Sequence, residues 1–170
     1  MLLAAAPQEG CALLLGRRLG TSLVLQWIWP CCNSWQPQEE RQHRFLLDPR
    51  EQLLAQRWAR ERQLQVLGAA HSHPSSDAVP SASDLALSCG PALMLIRSGL
   101  PVAAPLRAWW LPDSAGWSGD SVEAPGPAAL KPRELALELA PELAPELEME
   151  LEWRSGAESP PGSGPRRLGE

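Results

Sequence analysis

The sequence predicts one domain of the α/β (α+β) class, a mixed β-sheet flanked by helices, followed by a low-complexity tail. In residues 1–112, apolar runs of strand composition alternate with a segment of helical periodicity. Residues 113–170 are instead dense in Pro, Gly, Ser and Glu, a composition that buries little apolar surface. Charge follows the same division. Residues 1–112 hold ten basic and eight acidic side chains, whereas residues 113–170 hold five and twelve.

The first elements are an apolar run, a strand and a loop. The run from Glu9 to Leu15 stops at Gly16, which we interpret as a helix end or a turn into Gly20. Thr21–Trp29 is rich in β-branched and aromatic residues and predicts a buried strand. The polar stretch Pro30–Gln42 contains two prolines and predicts a loop.

A helix with a clear start occupies the middle of the domain. Arg44–Leu47 predicts a short strand that Asp48 ends. Asp48 is a good N-cap and Pro49 a good first helical residue, so we expect a helix from there to about Gln63. The helical periodicity places three apolar side chains on one face: Leu53, Leu54 and Trp58.

Three more strands and a short helix complete the domain. One strand runs directly into the tetrapeptide from His71 to Pro74, and Ser81 or Ser83 then caps a helix that continues to Leu87. These strands are predicted at Leu64–Ala70, Ala92–Ile96 and Leu106–Leu111.

The tail contains a near-repeat of Glu-Leu-Ala-Pro. Residues 113–133 and 155–170 have linker composition, and Pro141 and Pro145 would break a long helix between them. Glu146–Trp153 alternates acidic and apolar residues. Three interpretations stay open: a solvated tail, an edge strand that pairs with the domain, and a docking segment for a basic partner.

Composition excludes several classes of protein. No strongly basic face is visible, which argues against a nucleic-acid binder, and no apolar run is long enough to span a membrane. The N-terminus lacks the positive region of a signal peptide, so we expect a cytoplasmic protein. The four cysteines (Cys11, Cys31, Cys32 and Cys89) show no C-x-x-C spacing, which argues against a disulfide framework or a Cys-rich zinc site.

One group of residues has the spacing of a metal site. His71 and His73 leave a strand at alternate positions and therefore point the same way. Pro74 turns the chain, and the helix capped by Ser81 carries Asp84 in its first turn, where a carboxylate can reach both imidazoles. Two imidazoles and one carboxylate form a zinc ligand set with an open fourth position. The alternative is two loop histidines and a helix-start charge.

The string His71-Ser72-His73-Pro74, six residues, Ser81, two residues, Asp84 resembles the signature of the JAMM (MPN+) metalloproteases. Pro7–Gly16 is similar to the glutamate-containing element of that family, with Ala12 where Gly is usual. Arg44–Pro49 looks like the strand-to-helix entry of the compact bacterial members. The resemblance covers residues 7–111 and implies a cytidine-deaminase-like MPN/JAMM fold.

Roles for five residues follow from the resemblance. It implies that His71, His73 and Asp84 bind Zn²⁺. It implies that Glu9, on the first helix, is the general base for the zinc-bound water, and that Ser81 donates to the developing oxyanion. The alternatives are that Glu9 is only a first-turn charge and that Ser81 is only an N-cap.

Four other residues near the motif receive structural interpretations. We expect Ser72 to support the loop by hydrogen bonds and Cys11 to be a buried packing residue. Asp77 is expected to be solvated, and His43 to be a surface residue rather than a fourth ligand. Family members usually have a strand and most of a helix before the glutamate. Only eight residues precede Glu9 here, so a missing first strand would leave a sheet edge exposed.

The resemblance implies a zinc-dependent peptidase or isopeptidase of the compact prokaryotic type. Such enzymes cleave the amide after the C-terminal Gly-Gly of a small ubiquitin-like or sulfur-carrier protein. The substrate tail would add a strand to a sheet edge, in a channel formed with the loop Pro30–Gln42. The alternatives are a catalytically weak MPN-type binding or scaffold module and a nuclease-like associate, which the neutral domain disfavours.

Overall fold

One mixed sheet organises the structure, a computed structural model that describes residues 1–88, 91–111, 131–138 and 166–167. Its strands are β1 (Cys11–Leu19), β2 (Ser22–Cys31), β3 (Gln65–His73), β4 (Ala92–Ser98), β5 (Leu106–Leu111), β6 (Arg133–Leu135) and β7 (Arg166–Arg167). The helices are α1 (Pro49–Glu61) and α2 (Ala82–Leu87), with 3₁₀ turns at Leu2–Ala5 and Gln38–Gln42. The predicted fold class is confirmed.

The strands lie in the order β6-β5-β4-β3-β1-β2-β7. Only β3 and β4 run parallel within this sheet, and the crossover between them contains α2. The remaining neighbours pair antiparallel. β1 is therefore an interior strand rather than an exposed edge.

The interpretation of the first apolar run as a helix is wrong. Residues 11–19 form strand β1, which makes a hairpin with β2 through a two-residue turn in which Gly20 has a φ of +60°. Cys11–Gly16 is buried without a break, because β1 is flanked by β2 and β3 and covered on both faces. Burial on both faces removes the alternation that would have distinguished a strand from a helix.

Helix α1 begins where the sequence predicts. The Asp48 side chain accepts a hydrogen bond from the backbone N–H of Arg50 at 2.8 Å, and Pro49 is the first helical residue. The helix ends at Glu61, two residues before the predicted position.

Two of the three apolar side chains predicted to share one face of α1 are exposed. Leu53 and Leu54 are 64% and 54% exposed, and Trp58 is half-buried. Ala55 and Ala59 are instead fully buried, in a cluster that includes Leu13, Leu15 and Trp29 of the sheet. Two alanines four residues apart let the helix backbone approach the strands closely, so the interface selects them over the leucines.

Arg44–Leu47 does not form the predicted strand. A single bridge between Asn33 and Leu47 is present instead. The Asn33 side chain replaces a neighbouring strand as the hydrogen-bond partner of this segment's backbone. Its Oδ1 accepts from the Leu46 N–H at 3.2 Å, and its Nδ2 donates to the Arg44 carbonyl at 2.8 Å. The predicted loop is confirmed from residue 32 onward, although β2 extends to Cys31.

The later elements agree with the sequence. β3 continues two residues past His71, so both motif histidines are strand residues. Ser81, not Ser83, caps α2. Strands β4 and β5 cover the predicted segments, with β4 two residues longer.

Part of the predicted tail joins the sheet. β6 pairs with β5, and the Arg107 guanidinium forms a two-bond ion pair with the Glu134 carboxylate. The predicted boundary after Pro112, the alternating segment Glu146–Trp153 and Cys89 lie outside the described residues.

Each face of the sheet carries its own core. Both helices lie on one face, and β3 presents His71 and His73 there beside Cys11, the partner of His71 in β1. The opposite face is built from small and aliphatic side chains: Ala12, Leu14, Ala70, Leu93, Leu95 and Ala108. Within the part of the chain that the structure describes, no helix is long and apolar enough to cross a membrane.

Candidate metal centre

The two motif histidines meet at the C-terminal end of β3. His71 and His73 occupy alternate strand positions, so their imidazoles share one face. Their Nε2 atoms lie 3.0 Å apart, and the two residues are 0% and 5% exposed. The strand therefore presents two nitrogen donors to the same small volume.

Helix α2 supplies the third donor. Asp84 Oδ1 lies 3.4 Å from His71 Nε2, and Asp84 Oδ2 lies 3.5 Å from His73 Nε2. Asp84 is buried, and one ligand atom from each of the three residues falls within 4.8 Å of the others. The structure thus brings together the three predicted metal ligands.

The three groups fit a zinc ion. Zinc binds imidazole nitrogen and carboxylate oxygen at about 2.0–2.2 Å in tetrahedral geometry, which separates neighbouring donors by about 3.3 Å. The observed separations of 3.0, 3.4 and 3.5 Å lie close to that spacing. These side chains could hold a metal ion with one position left for another ligand.

The three groups also pair electrostatically with one another. Burial raises the pKa of Asp84, but the His71 and His73 imidazoles beside it outweigh burial and hold that pKa well below its usual range. Burial lowers the pKa of His71. For His73, Asp84 and the Asp77 carbonyl outweigh burial and raise the pKa.

Glu9 lies in the residue pair just before β1 and not on a helix, which corrects the predicted placement. It is 4% exposed, and its Oε2 is buried without a hydrogen-bond partner among the described residues. Burial raises its pKa to about 8, with His73 lowering it and Asp84 raising it. Glu9 is therefore close enough to the cluster for the charges of His73 and Asp84 to shift its pKa.

Ser81 lies at the start of α2, beside the cluster. Its Oγ accepts the Asp84 N–H at 3.2 Å, so Ser81 caps the helix as one of the two interpretations expected. A serine hydroxyl that accepts one bond still has a proton to donate. The cap and a donor role are therefore compatible.

The structural interpretations of the neighbouring residues are confirmed. Ser72 is buried, and its Oγ accepts from the Gly10 N–H at 2.9 Å and donates to the Leu2 carbonyl at 3.2 Å. Cys11 is 4% exposed. The side chains of His43 and Asp77 are exposed.

Two contacts at the site have no counterpart in the sequence-based predictions. The Phe45 ring stacks on the His71 imidazole, with centroids 4.5 Å apart. Asn33 Nδ2 donates to the Glu9 carbonyl at 3.1 Å. Phe45 is the only phenylalanine in the chain and lies three residues before the N-cap Asp48, which is only a weak indication of a role at the site. No sequence pattern indicates a role for Asn33.

Short N-terminal elements also support Glu9. The Glu9 N–H donates to the Arg41 carbonyl at 2.7 Å. A Cβ at Gly10 would overlap the Leu2 carbonyl oxygen, so glycine allows the first 3₁₀ turn to lie against the strand start.

Two solved structures resemble this chain over most of its length. Protein DSY2949 from Desulfitobacterium hafniense is 29% identical, with a TM-score of 0.60 and coverage of 81% of this chain and 83% of that one. A protein from Salinibacter ruber is 28% identical, with a TM-score of 0.50 and coverage of 80% of each chain. No curated protein matches the sequence.

The family comparison covers the domain that carries the cluster. Residues 1–112 match the family described as prokaryotic homologues of the JAB domain. This span includes all five predicted site residues and strands β1 to β5. The chain therefore belongs to the family of prokaryotic JAB domain homologues.

Proposed function

We propose that the protein is a zinc-dependent peptidase or isopeptidase. It hydrolyses the amide bond after the C-terminal Gly-Gly of a small ubiquitin-like or sulfur-carrier protein. The observation that carries this proposal is the convergence of His71, His73 and Asp84 beside the buried Glu9 carboxyl group. The substrate class follows from the resemblance to JAMM peptidases.

The donor set matches a hydrolytic metal site. His71, His73 and Asp84 would hold the ion and leave a position open for a further ligand. Zinc, when bound there, would supply a Lewis acid and lower the pKa of a water ligand toward about 7.

Glu9 is the general base in this proposal. Its pKa of about 8 means that the carboxyl group holds a proton at neutral pH in the metal-free protein. A nearby positive charge would draw that pKa down, so that Glu9 could accept a proton from the attacking water. The same carboxyl group then passes the proton to the leaving amine.

Ser81 stabilises the oxyanion in this proposal. Its Oγ is held by the Asp84 N–H, so its hydroxyl proton is directed away from that bond. A hydroxyl donor aimed at the developing negative charge stabilises the transition state more than the ground state.

The segment between β2 and α1 forms the wall of the substrate channel in this proposal. It is tied to the base by hydrogen bonds at both ends of Glu9, from Asn33 to its carbonyl and from its N–H to Arg41. A Gly-Gly tail carries no side chains, so it enters a narrow channel that excludes bulkier C-termini.

Elemental analysis and a cleavage assay test the proposal. We expect about one zinc per chain in the wild type, its loss in Asp84→Ala, and its retention in Asp77→Ala, a control with an exposed carboxylate. With zinc retained, Glu9→Gln should abolish cleavage of a Gly-Gly-tailed carrier fusion, and Glu39→Gln should not. A zinc-loaded wild type that cleaves no such fusion overturns the substrate class, and a folded protein without zinc overturns the enzyme.

A catalytically weak MPN-type binding or scaffold module is the second candidate. One observation favours it: Asp84 lies within ion-pairing distance of both imidazoles, so these three groups can pair with one another without a metal. If this function holds, a His71→Ala, His73→Ala double variant keeps its partner binding unchanged.

A further inference from the structure

Three consecutive carbonyl groups in the loop after His73 are all held by buried hydrogen-bond donors. They belong to Ser76, Asp77 and Ala78. The geometry points to Ser98 and Trp109 as positioning residues that keep His73 in the tautomer and orientation of a metal ligand. This inference rests on the proposed metal site, and it assigns a role to two residues outside the motif.

The middle carbonyl contacts the histidine directly. His73 Nδ1 lies 2.7 Å from the Asp77 carbonyl oxygen. Because a carbonyl can only accept, the proton of the neutral imidazole is on Nδ1. Nε2 then keeps its lone pair, and it is this atom that faces His71 and Asp84.

Ser98 anchors the residue before Asp77, by a hydrogen bond to the Ser76 carbonyl. Ser98 is the register partner of His73 in the parallel pair β3–β4, and it is 1% exposed. Its Oγ donates to the Ser76 carbonyl at 2.7 Å and accepts the Leu100 N–H at 3.1 Å. With both of its bonds satisfied in a buried position, the hydroxyl has one orientation.

Trp109 anchors the residue after Asp77, by a hydrogen bond to the Ala78 carbonyl. Its indole Nε1 donates to the Ala78 carbonyl at 2.9 Å, and both residues are buried. An indole has a single donor and no acceptor, so this bond has one sense only. Trp109 belongs to β5, so the two anchors come from neighbouring strands.

The backbone just after His73 is held closely against Gly99. The Gly99 N–H donates to the His73 carbonyl at 2.9 Å, and a Cβ at Gly99 would overlap the Pro74 carbonyl oxygen. The Asp77 carbonyl also accepts the Val79 N–H at 2.8 Å. Its position is therefore fixed by that bond together with the anchors on Ser76 and Ala78, and His73 is oriented through Asp77.

The other histidine is held differently. His71 Nδ1 is buried without a hydrogen-bond partner among the described residues, and the ring is positioned by stacking on Phe45. Loss of the Ser98 or Trp109 anchor should therefore disturb His73 and leave His71 in place.

Imidazole tautomers in the metal-free full-length protein test the inference first. Long-range ¹H–¹⁵N spectra, recorded at a pH above the imidazole titrations, distinguish Nδ1–H from Nε2–H for each of the three histidines. We expect His73 as Nδ1–H in the wild type and as a mixture in Ser98→Ala and Trp109→Phe. The matched controls Ser76→Ala and Trp110→Phe keep the same carbonyls and the same donors, so they should retain the wild-type tautomer.

Metal binding tests it second. We expect Zn²⁺ affinity, measured by chelator competition, to fall about 10- to 100-fold in Ser98→Ala and in Trp109→Phe relative to their controls. The Co²⁺ absorption bands should change in the same two variants, because a ligand that rotates alters the geometry at the metal. Circular dichroism confirms that each variant is folded, and either variant suffices if the other does not fold.

The outcomes separate this inference from the proposed function. Wild-type tautomer and control-level zinc affinity in a folded variant overturn it, as does reduced affinity with His73 still fully Nδ1–H. If the wild-type protein binds no zinc, the proposed enzyme fails, whereas the tautomer measurement still decides whether Ser98 and Trp109 orient His73.

Discussion

Ser81 and Asp84 bind each other through two reciprocal hydrogen bonds. The Ser81 N–H donates to Asp84 Oδ2 at 2.7 Å, and the Asp84 N–H donates to Ser81 Oγ at 3.2 Å. The same Oδ2 lies 3.5 Å from His73 Nε2. The atom that caps α2 is thus also an atom of the candidate metal centre, so the start of the helix orients the carboxylate.

Removal of the cap should therefore weaken both the fold and the metal site. We expect Ser81→Ala to lower the free energy of unfolding of the metal-free protein by about 1 kcal/mol. Urea denaturation measures this loss, and zinc competition should show a lower affinity. Ser83→Ala serves as the control, because Ser83 lies two residues further on, inside α2, and does not cap the helix. Equal stability and affinity in the two variants would contradict the shared role of Oδ2.

Zinc binding should weaken as the pH falls. The pKa of His73 is raised above the usual imidazole value, so protons compete with the metal for Nε2 as the pH drops through that range. Asp84 stays ionised, because its pKa is held well below its usual range. One competing proton lowers the apparent affinity about tenfold per pH unit. Chelator competition between pH 6 and pH 8 measures the slope.

Glu9 adds a separable share to this pH dependence. Its pKa of about 8 means that it loses a proton when a dication binds beside it below that pH. Calorimetry in two buffers of different ionisation enthalpy should count more protons released by the wild type than by Glu9→Gln. An affinity that is constant from pH 6 to pH 8 would show that neither group is coupled to the metal.

The cysteines should differ sharply in reactivity. Burial raises the pKa of Cys31 to about 12, and that of Cys11 rises well above the usual range. Cys32 is exposed. In a Cys89→Ser background, a disulfide reagent should label one thiol in the native protein and two more after unfolding, because only a thiolate attacks. Three fast thiols under native conditions would contradict the buried placement of Cys11 and Cys31.

Gly68 should tolerate no side chain. A Cβ there would overlap the Leu93 carbonyl oxygen in the neighbouring strand, so Gly68→Ala must push β3 and β4 apart. We expect a loss of about 3 kcal/mol or more, measured by urea denaturation. Gly20→Ala is the control: its Cβ meets nothing within 4 Å, and only the φ of +60° costs about 1 kcal/mol. Similar losses in both variants would argue against the close strand approach.

Local chemistry determined the features that the sequence predicted correctly. Asp48-Pro49 and Ser81-x-x-Asp84 start helices through bonds within four residues, so their positions follow from the chain alone. The alternation of His71 and His73 follows from strand geometry in the same way. The candidate metal ligands could therefore be identified from the sequence before any fold was known.

Longer-range packing decided the rest. The residues after Glu9 form a strand because β2 and β3 are available on both sides, and a continuous apolar run does not encode that. Helix α1 turns Ala55 and Ala59 inward because the sheet beneath requires a close approach. Both outcomes depend on contacts between segments that are distant in the chain.

The contacts that hold the site residues in place also depend on long-range packing. Phe45 reaches His71, Asn33 reaches Glu9, and Trp109 reaches the loop after His73 from segments distant in the chain. The sequence by itself determined which side chains can bind a metal, since ligand type and spacing are local properties. Only the tertiary structure decided what orients and buries them, because hydrogen bonds and contacts between distant segments exist only after the sheet has formed.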